Sequence, residues 1–134
     1  MNPYKIGDIE DAIYEIFAPM KANIYASTPP TIVSDSDKKN GFIVIDIGTI
    51  NSYGAYDKAI LNLFLYAPTL DNGLKNVSLL NFLDMATDVH LRTKKGRVTN
   101  KTINIDINEL YEKQGYNSTY SMHYIIKALN LIIS

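Results

Sequence analysis

Two apolar, β-prone runs set close together restrict the fold more than any other feature. FIVIDI, Phe42 to Ile47, is followed by the ten-residue connection GTINSYGAYD, Gly48 to Asp57, and then by KAILNLFLYA, Lys58 to Ala67. Branched and aromatic residues fit a pleated, packed surface, so both runs are expected to be strands. FIVIDI is expected to be buried on both faces except near Asp46. In the second run Leu61, Leu63 and Leu65 point one way, and Ile60, Asn62, Phe64 and Tyr66 point the other. Ten residues are too few for a crossover helix, which implies antiparallel pairing. The second run is entered through a glycine turn and a charged step, GAYDK, and stops at Pro68.

The flanking periodicities complete an outline. Asp8 to Met20 has Ile9, Ile13, Ile16, Phe17 and Met20 on one helical face, with Asp8 as expected N-cap and Pro19 in the last turn. Asn23 to Ile32 is expected to be extended, with Tyr25 in a short strand. Ser34 to Gly41, SDSDKKNG, reads as a polar loop closed by an Asn40-Gly41 turn. A second helix is expected from about Leu74 to His90, with Leu79, Phe82, Leu83, Ala86 and Val89 as its apolar stripe. Thr93 to Lys101 is a basic loop, and Thr102 to Ile107 alternates as a strand. Asn108 to Ser118 is an excursion with room for one helical turn around Glu109 to Lys113. Thr119 to Ile133 fits both periods. Its Tyr and Ile content, and a sheet that still needs a neighbour, favour a strand. The order helix, strands, helix, strands gives one α+β domain over residues 1–134. An antiparallel β-sheet carries two helices packed on one face.

Composition narrows the function classes. The chain of 134 residues has no cysteine, which excludes disulfides and thiolate chemistry. A formal net charge of -1 provides no field to gather nucleic acid nonspecifically. No apolar run approaches the ~18 residues of a membrane span, and the N-terminal stretch lacks a signal-peptide layout, so a cytosolic location is expected. Ten tyrosines against four phenylalanines and no tryptophan suit a half-wet sheet face or an assembly surface.

No residue constellation specifies catalysis, and neither a metal nor another cofactor is expected. His90 and His123 are far apart and show no ligand spacing with Asp84, Asp88 or Asp106. Asp35-Ser36-Asp37 begins like a calcium loop, but Lys38 and Lys39 follow and the required glycine and glutamate do not. Asp84 and Asp88 share a helix face, where paired carboxylates act in acid–base chemistry only inside a cleft. Arg92, Lys94, Lys95, Arg97 and Lys101 place five cations within ten residues. Four readings fit them: a solvated hairpin, a salt-bridging interface, a contact to DNA phosphates, or a phosphate site.

The order of segments DIEDAIYEIFAPM, IYASTPPTIV, GFIVIDI, YDKAILNLFLYA, SLLNFLDMATDVH and YSMHYIIKALNLII resembles the tail terminator, or tail completion, family of tailed phages. The likeness is architectural and covers nearly the whole chain. It implies a structural phage or prophage protein without catalysis. Such a protein forms a homo-oligomeric ring, usually a hexamer, that caps the tail tube and joins it to the head-connector proteins, with DNA only as passing cargo. It would reside in the virion or the host cytoplasm. The resemblance assigns ring assembly to the loop Asn51 to Lys58 and the strand Ala59 to Tyr66. It makes Tyr53, Tyr56, Asp57 and Lys58, with Arg92, Lys94, Lys95 and Arg97 of the basic loop, the expected interface. The alternative reading is a small-molecule or peptide-binding domain, dimeric in one form, whose tyrosines line a pocket between helix and sheet.

Overall fold

Two twelve-residue strands form the axis of the molecule. β4 (Asp57–Pro68) and β8 (Met122–Ile133) pair antiparallel along their full length, from Asp57 opposite Ile133 to Pro68 opposite Met122. The computed structural model describes residues 4–93 and 95–134. β2 (Phe42–Ile47) pairs antiparallel with β4, as the short connection requires, placing Phe42 opposite Tyr66 and Ile47 opposite Leu61. Beyond β2, the two-residue β3 (Asn51–Ser52) continues along the same edge of β4. On the free side of β8, β6 (Lys101–Ile105) and β7 (Tyr111–Asn117) pair one after the other. β5 (Gly96–Val98) is added to β6, and β1 (Asn23–Ala26) to β2. Every pairing is antiparallel except β1 with β2.

Strand alternation sorts the side chains into two faces. Leu61, Leu63 and Leu65 of β4 lie on one face with Ile125, Leu129, Leu131 and Ile133 of β8, all buried. Two helices cover this face: α1 (Ile6–Phe17), through Ile9, Ala12, Ile13, Ile16 and Phe17, and α3 (Val77–Thr93), through Leu80, Leu83, Thr87 and Leu91. Each fully buried aliphatic side chain contributes about 2 kcal/mol of transfer free energy, so this layer dominates folding. The α+β class, with a mostly antiparallel sheet and two helices on one face, is therefore the observed one; the parallel β1 strand departs from the all-antiparallel expectation.

A smaller aromatic cluster lies on the other face, at one end of the sheet. Phe42 stacks on Tyr66 with centroids 4.7 Å apart, and Tyr25 meets Phe42 edge-on at 5.6 Å. Val33, Tyr120 and Tyr124 close over the cluster. A third helix, α2 (Asp35–Asn40), also packs against β4. Toward the other end of β4, Ile60 is 43% exposed.

Several local expectations are corrected. SDSDKKNG is not a solvated loop: Ser34 accepts from the Asp37 backbone N–H, and the chain coils into α2. Asp37 is fully buried and accepts from Asn23 Nδ2 at 2.9 Å and Tyr25 OH at 2.7 Å, which pins α2 to β1. Its carboxylate is thus occupied by donors rather than a cation. α1 begins earlier than expected, with Lys5 as its cap; Asp8 lies inside the first turn and accepts from the Lys5 backbone N–H. α3 begins later, where the Asn76 side chain accepts from the Leu79 N–H. The basic loop is largely a hairpin, β5–β6. The excursion after Asn108 is β7 rather than a helical turn, because β8 offers an unpaired edge that short-range propensity does not register. At its middle, the Tyr124 ring lies over Gly115, in the space a Cβ would fill.

Candidate functional site

The uncovered end of the second face forms an open groove. β4 and β8 supply its floor through Lys58, Ile60, Asn62 and Asn130. Gly48 to Tyr53 forms one wall, anchored where the Gly48 N–H donates to the Ile60 carbonyl at 2.9 Å. Leu110 and Tyr111 form the other, anchored where the Leu110 N–H donates to the Ala128 carbonyl at 2.8 Å. The cavity measures about 660 Å³. Tyr111 OH donates to Asn62 Oδ1 at 3.5 Å, a long bond across the groove. Lys58 is the one charged side chain in the described lining.

Tyr53 and Tyr56 sit at the tip of the β3–β4 hairpin. The Tyr53 N–H donates to the Tyr56 carbonyl at 2.9 Å, and the two exposed rings stack at 5.3 Å. Tyr53 also reaches the groove, as does Lys58. Asp57, between them in sequence, is different. It is buried, and its carboxylate accepts from Tyr4 OH. The Tyr4 and Ser52 hydroxyls hold its pKa below the usual carboxylate range, against the opposing effect of burial. Tyr4 is raised in turn by burial and by the carboxylate. Asp57 thus ties the segment before α1 to the sheet instead of presenting a charge outward.

This arrangement sets a sign for acid stability. A carboxyl with a depressed folded pKa stabilises the native state above its unfolded value, ~3.9, and that contribution is lost as pH falls through the folded value. Tyr4→Phe is expected to weaken it, giving a shallower fall in thermal midpoint between pH 5 and 2 than the unmodified chain shows. Parallel midpoint curves for the two proteins would exclude this role.

The cations of the former basic loop are divided by the fold. Arg92 lies in the last turn of α3 and pairs with Asp88 at 3.0 Å, an exposed i,i+4 pair. Lys95 precedes β5 and is exposed, as is Arg97 in β5. Lys94 lies outside the described residues. Arg97 stands opposite Thr102, whose backbone pairs with Ser134 beyond the end of β8. Arg97 and the tyrosine hairpin therefore lie at the same end of the sheet, roughly three strand spacings, ~14 Å, apart.

The remaining polar residues resolve into separate settings. Lys127 is buried among the helix-facing residues of β8, with Nζ paired to Asp84 of α3 and at 2.9 Å from Glu109 Oε1. His123 lies beside Thr69 at 3.4 Å and against the Tyr116 ring at 4.8 Å. Among the described residues no three His, Asp or Glu side chains are grouped to hold a metal ion. No helix of the described residues is long and apolar enough to cross a membrane. The groove's chemistry is hydrogen bonding by amides and phenols around the Ile60 side chain, with the Lys58 cation in the floor.

Sequence reasoning missed Ile60, Asn62, Asn130 and Tyr111 as groove residues. One signal was present: Leu61-Asn62-Leu63 and Leu129-Asn130-Leu131 each place an amide inside an apolar strand. Leu61 is opposite Leu129, so the two amides are diagonal neighbours on the uncovered face. The expected α3 stripe also divides. Leu83 is buried and Leu79 and Ala86 are half-buried, but Phe82 and Val89 face outward with Met85.

No protein-family model matches this chain, and comparison with curated proteins gives no match.

Proposed function

We propose that this chain is a structural subunit that self-associates into a ring, caps a phage tail tube and joins it to the head-connector, with DNA as passing cargo and no catalysis. The observation that carries the self-association is apolar surface left bare on both layers. Phe82, Met85 and Val89 project from α3, while Ile60 and the stacked tyrosines project from the sheet face behind it. Bare patches on opposite sides of a subunit fit head-to-tail association, the mode that closes rings. Arg97, exposed at the same end of the sheet as Tyr53 and Tyr56, and the exposed Lys95 beside it suit contact with an acidic tube surface or with DNA phosphates. The assignment to a tail rests on the order of elements and on this surface.

Light scattering over a concentration range, alone and with tail-tube protein, tests the reading. A ring mass, in solution or only on tube ends, is the expected result. A monomer or dimer indifferent to tube protein would overturn it. The groove itself favours a second reading, a binding domain for a small polar ligand held by Asn62, Asn130 and Lys58. That reading predicts a rise in thermal midpoint with such a ligand.

A further inference from the structure

We infer that the outward stripe of α3 in one copy seats in the groove of the next copy, so that the neighbour's helix supplies the missing layer over the sheet. The inference rests on the self-association part of the proposed function and does not require a tail.

Three observations carry it. First, the chain's own helices α1 and α3 cover one face of the sheet, while on the uncovered end of the other face Ile60 stays 43% exposed among Lys58, Asn62 and Asn130. An apolar sheet face is buried most effectively by a helix packed on it. α3 is such an element with a second apolar side: Phe82 is 60%, Met85 70% and Val89 56% exposed. These positions recur at i, i+3 and i+7 and form one stripe.

Second, the dimensions agree. The stripe runs over seven residue steps, Phe82 to Val89, ~10 Å along the helix axis. The floor from Lys58 to Asn62 runs ~13 Å along the strand. The walls are anchored outside β4 and β8, three strand spacings or ~14 Å apart, and a helix with its side chains is ~10–12 Å across.

Third, the charges complement. Lys58 is the charged group of the groove. The flank of α3 beside Met85 carries Asp84, Asp88 and the nearby Glu109, against Arg92 and Lys127. That sum, three carboxylates and two cations, is -1. An α3 stripe packed on a second α3 would instead bring two copies of that anionic flank together, which is unfavourable. A groove-to-stripe contact uses different surfaces on the two copies and is therefore heterologous.

The chain has no cysteine, so single-cysteine variants report the contact directly. Met85→Cys and Ile60→Cys proteins, one carrying a mass tag, are mixed, treated with a short bis-maleimide, and resolved by mass. The expected result is a tagged–untagged product in the mixture and none with either variant alone. A product from Met85→Cys alone would show α3 against α3 and overturn the inference. Higher mass by light scattering without the mixed product would overturn this interface and leave the ring reading standing. A monomer at every concentration would overturn the inference and leave the tail reading to assembly on the tube. A Met85→Glu variant gives the second readout. With circular dichroism unchanged, its self-association constant should fall at least tenfold; an unchanged constant counts against the seat.

Discussion

Replacing Asp84 by Asn together with Glu109 by Gln is expected to lower the unfolding free energy by about 3–5 kcal/mol, because it leaves a buried ammonium without a counter-charge. Lys127 is 3% exposed, in register with Ile125 and Leu129, on the side of the sheet that faces α3. Burial alone would lower its pKa, but the Asp84 and Glu109 carboxylates outweigh that and hold it raised. Lys127→Met should be mild by comparison, about 1 kcal/mol or less, because it keeps the aliphatic stem in place. Asp84 and Glu109 keep about a third of their side-chain surface in water, so they tolerate the loss of their partner better than Lys127 does. Urea unfolding of the three proteins at neutral pH measures the ordering. Equal losses for both variants would show that the network holds α3 by packing alone.

The same network sets an alkaline sign. A lysine whose folded pKa is raised stabilises the native state fully below its unfolded value, ~10.4, and the contribution disappears as pH rises through the folded value. The unmodified chain should lose stability over that window, and Lys127→Met should lose less. Glu112, on β7, has its carboxyl pushed up by burial and then by Asp84 and Glu109, so a negative charge there opposes the cluster.

Gly41→Ala is the second large effect, with an expected loss of about 3 kcal/mol or more. Gly41 caps α2 with φ 71° and ψ -174°, a combination that glycine alone adopts without strain. A Cβ there would overlap the backbone carbonyl oxygen of Tyr66 and come within 2.9 Å of Leu83 Cδ1. The carbonyl belongs to the central strand and cannot move aside. Gly7→Ala is the control: it lies in α1 with nothing within 4 Å of a new Cβ. It should stabilise by about 0.5–1 kcal/mol through helix propensity. A thermal or urea midpoint for Gly41→Ala as high as that for Gly7→Ala would contradict the cap geometry.

Much of the fold was legible because period-2 and period-3.6 patterns report burial directly. FIVIDI appeared as β2 with the expected bounds, and Leu61, Leu63 and Leu65 took one face as alternation required. The closing segment, which fitted both periods, became β8 because β4 needed a partner along its whole length. Asp57 illustrates the opposite case. Its position before an apolar strand suggested an exposed charge, and only the approach of Tyr4, 53 residues away in sequence, buries it. The apolar residues of α3 were visible as a set, but a helix with two apolar sides gives no local clue to which side turns inward.

The sequence by itself determined strands β2, β4 and β6, the antiparallel pairing of β2 with β4, the helical character of α1 and α3, and the lack of any thiol chemistry. These depend on spacing and residue type over a few residues. Only the tertiary structure decided that Asn62 and Asn130 share a groove, that Lys127 is buried against two carboxylates, and that Phe82, Met85 and Val89 remain outside. Each of these depends on contacts between residues far apart in the chain, where register and packing choose among faces that local pattern leaves equivalent.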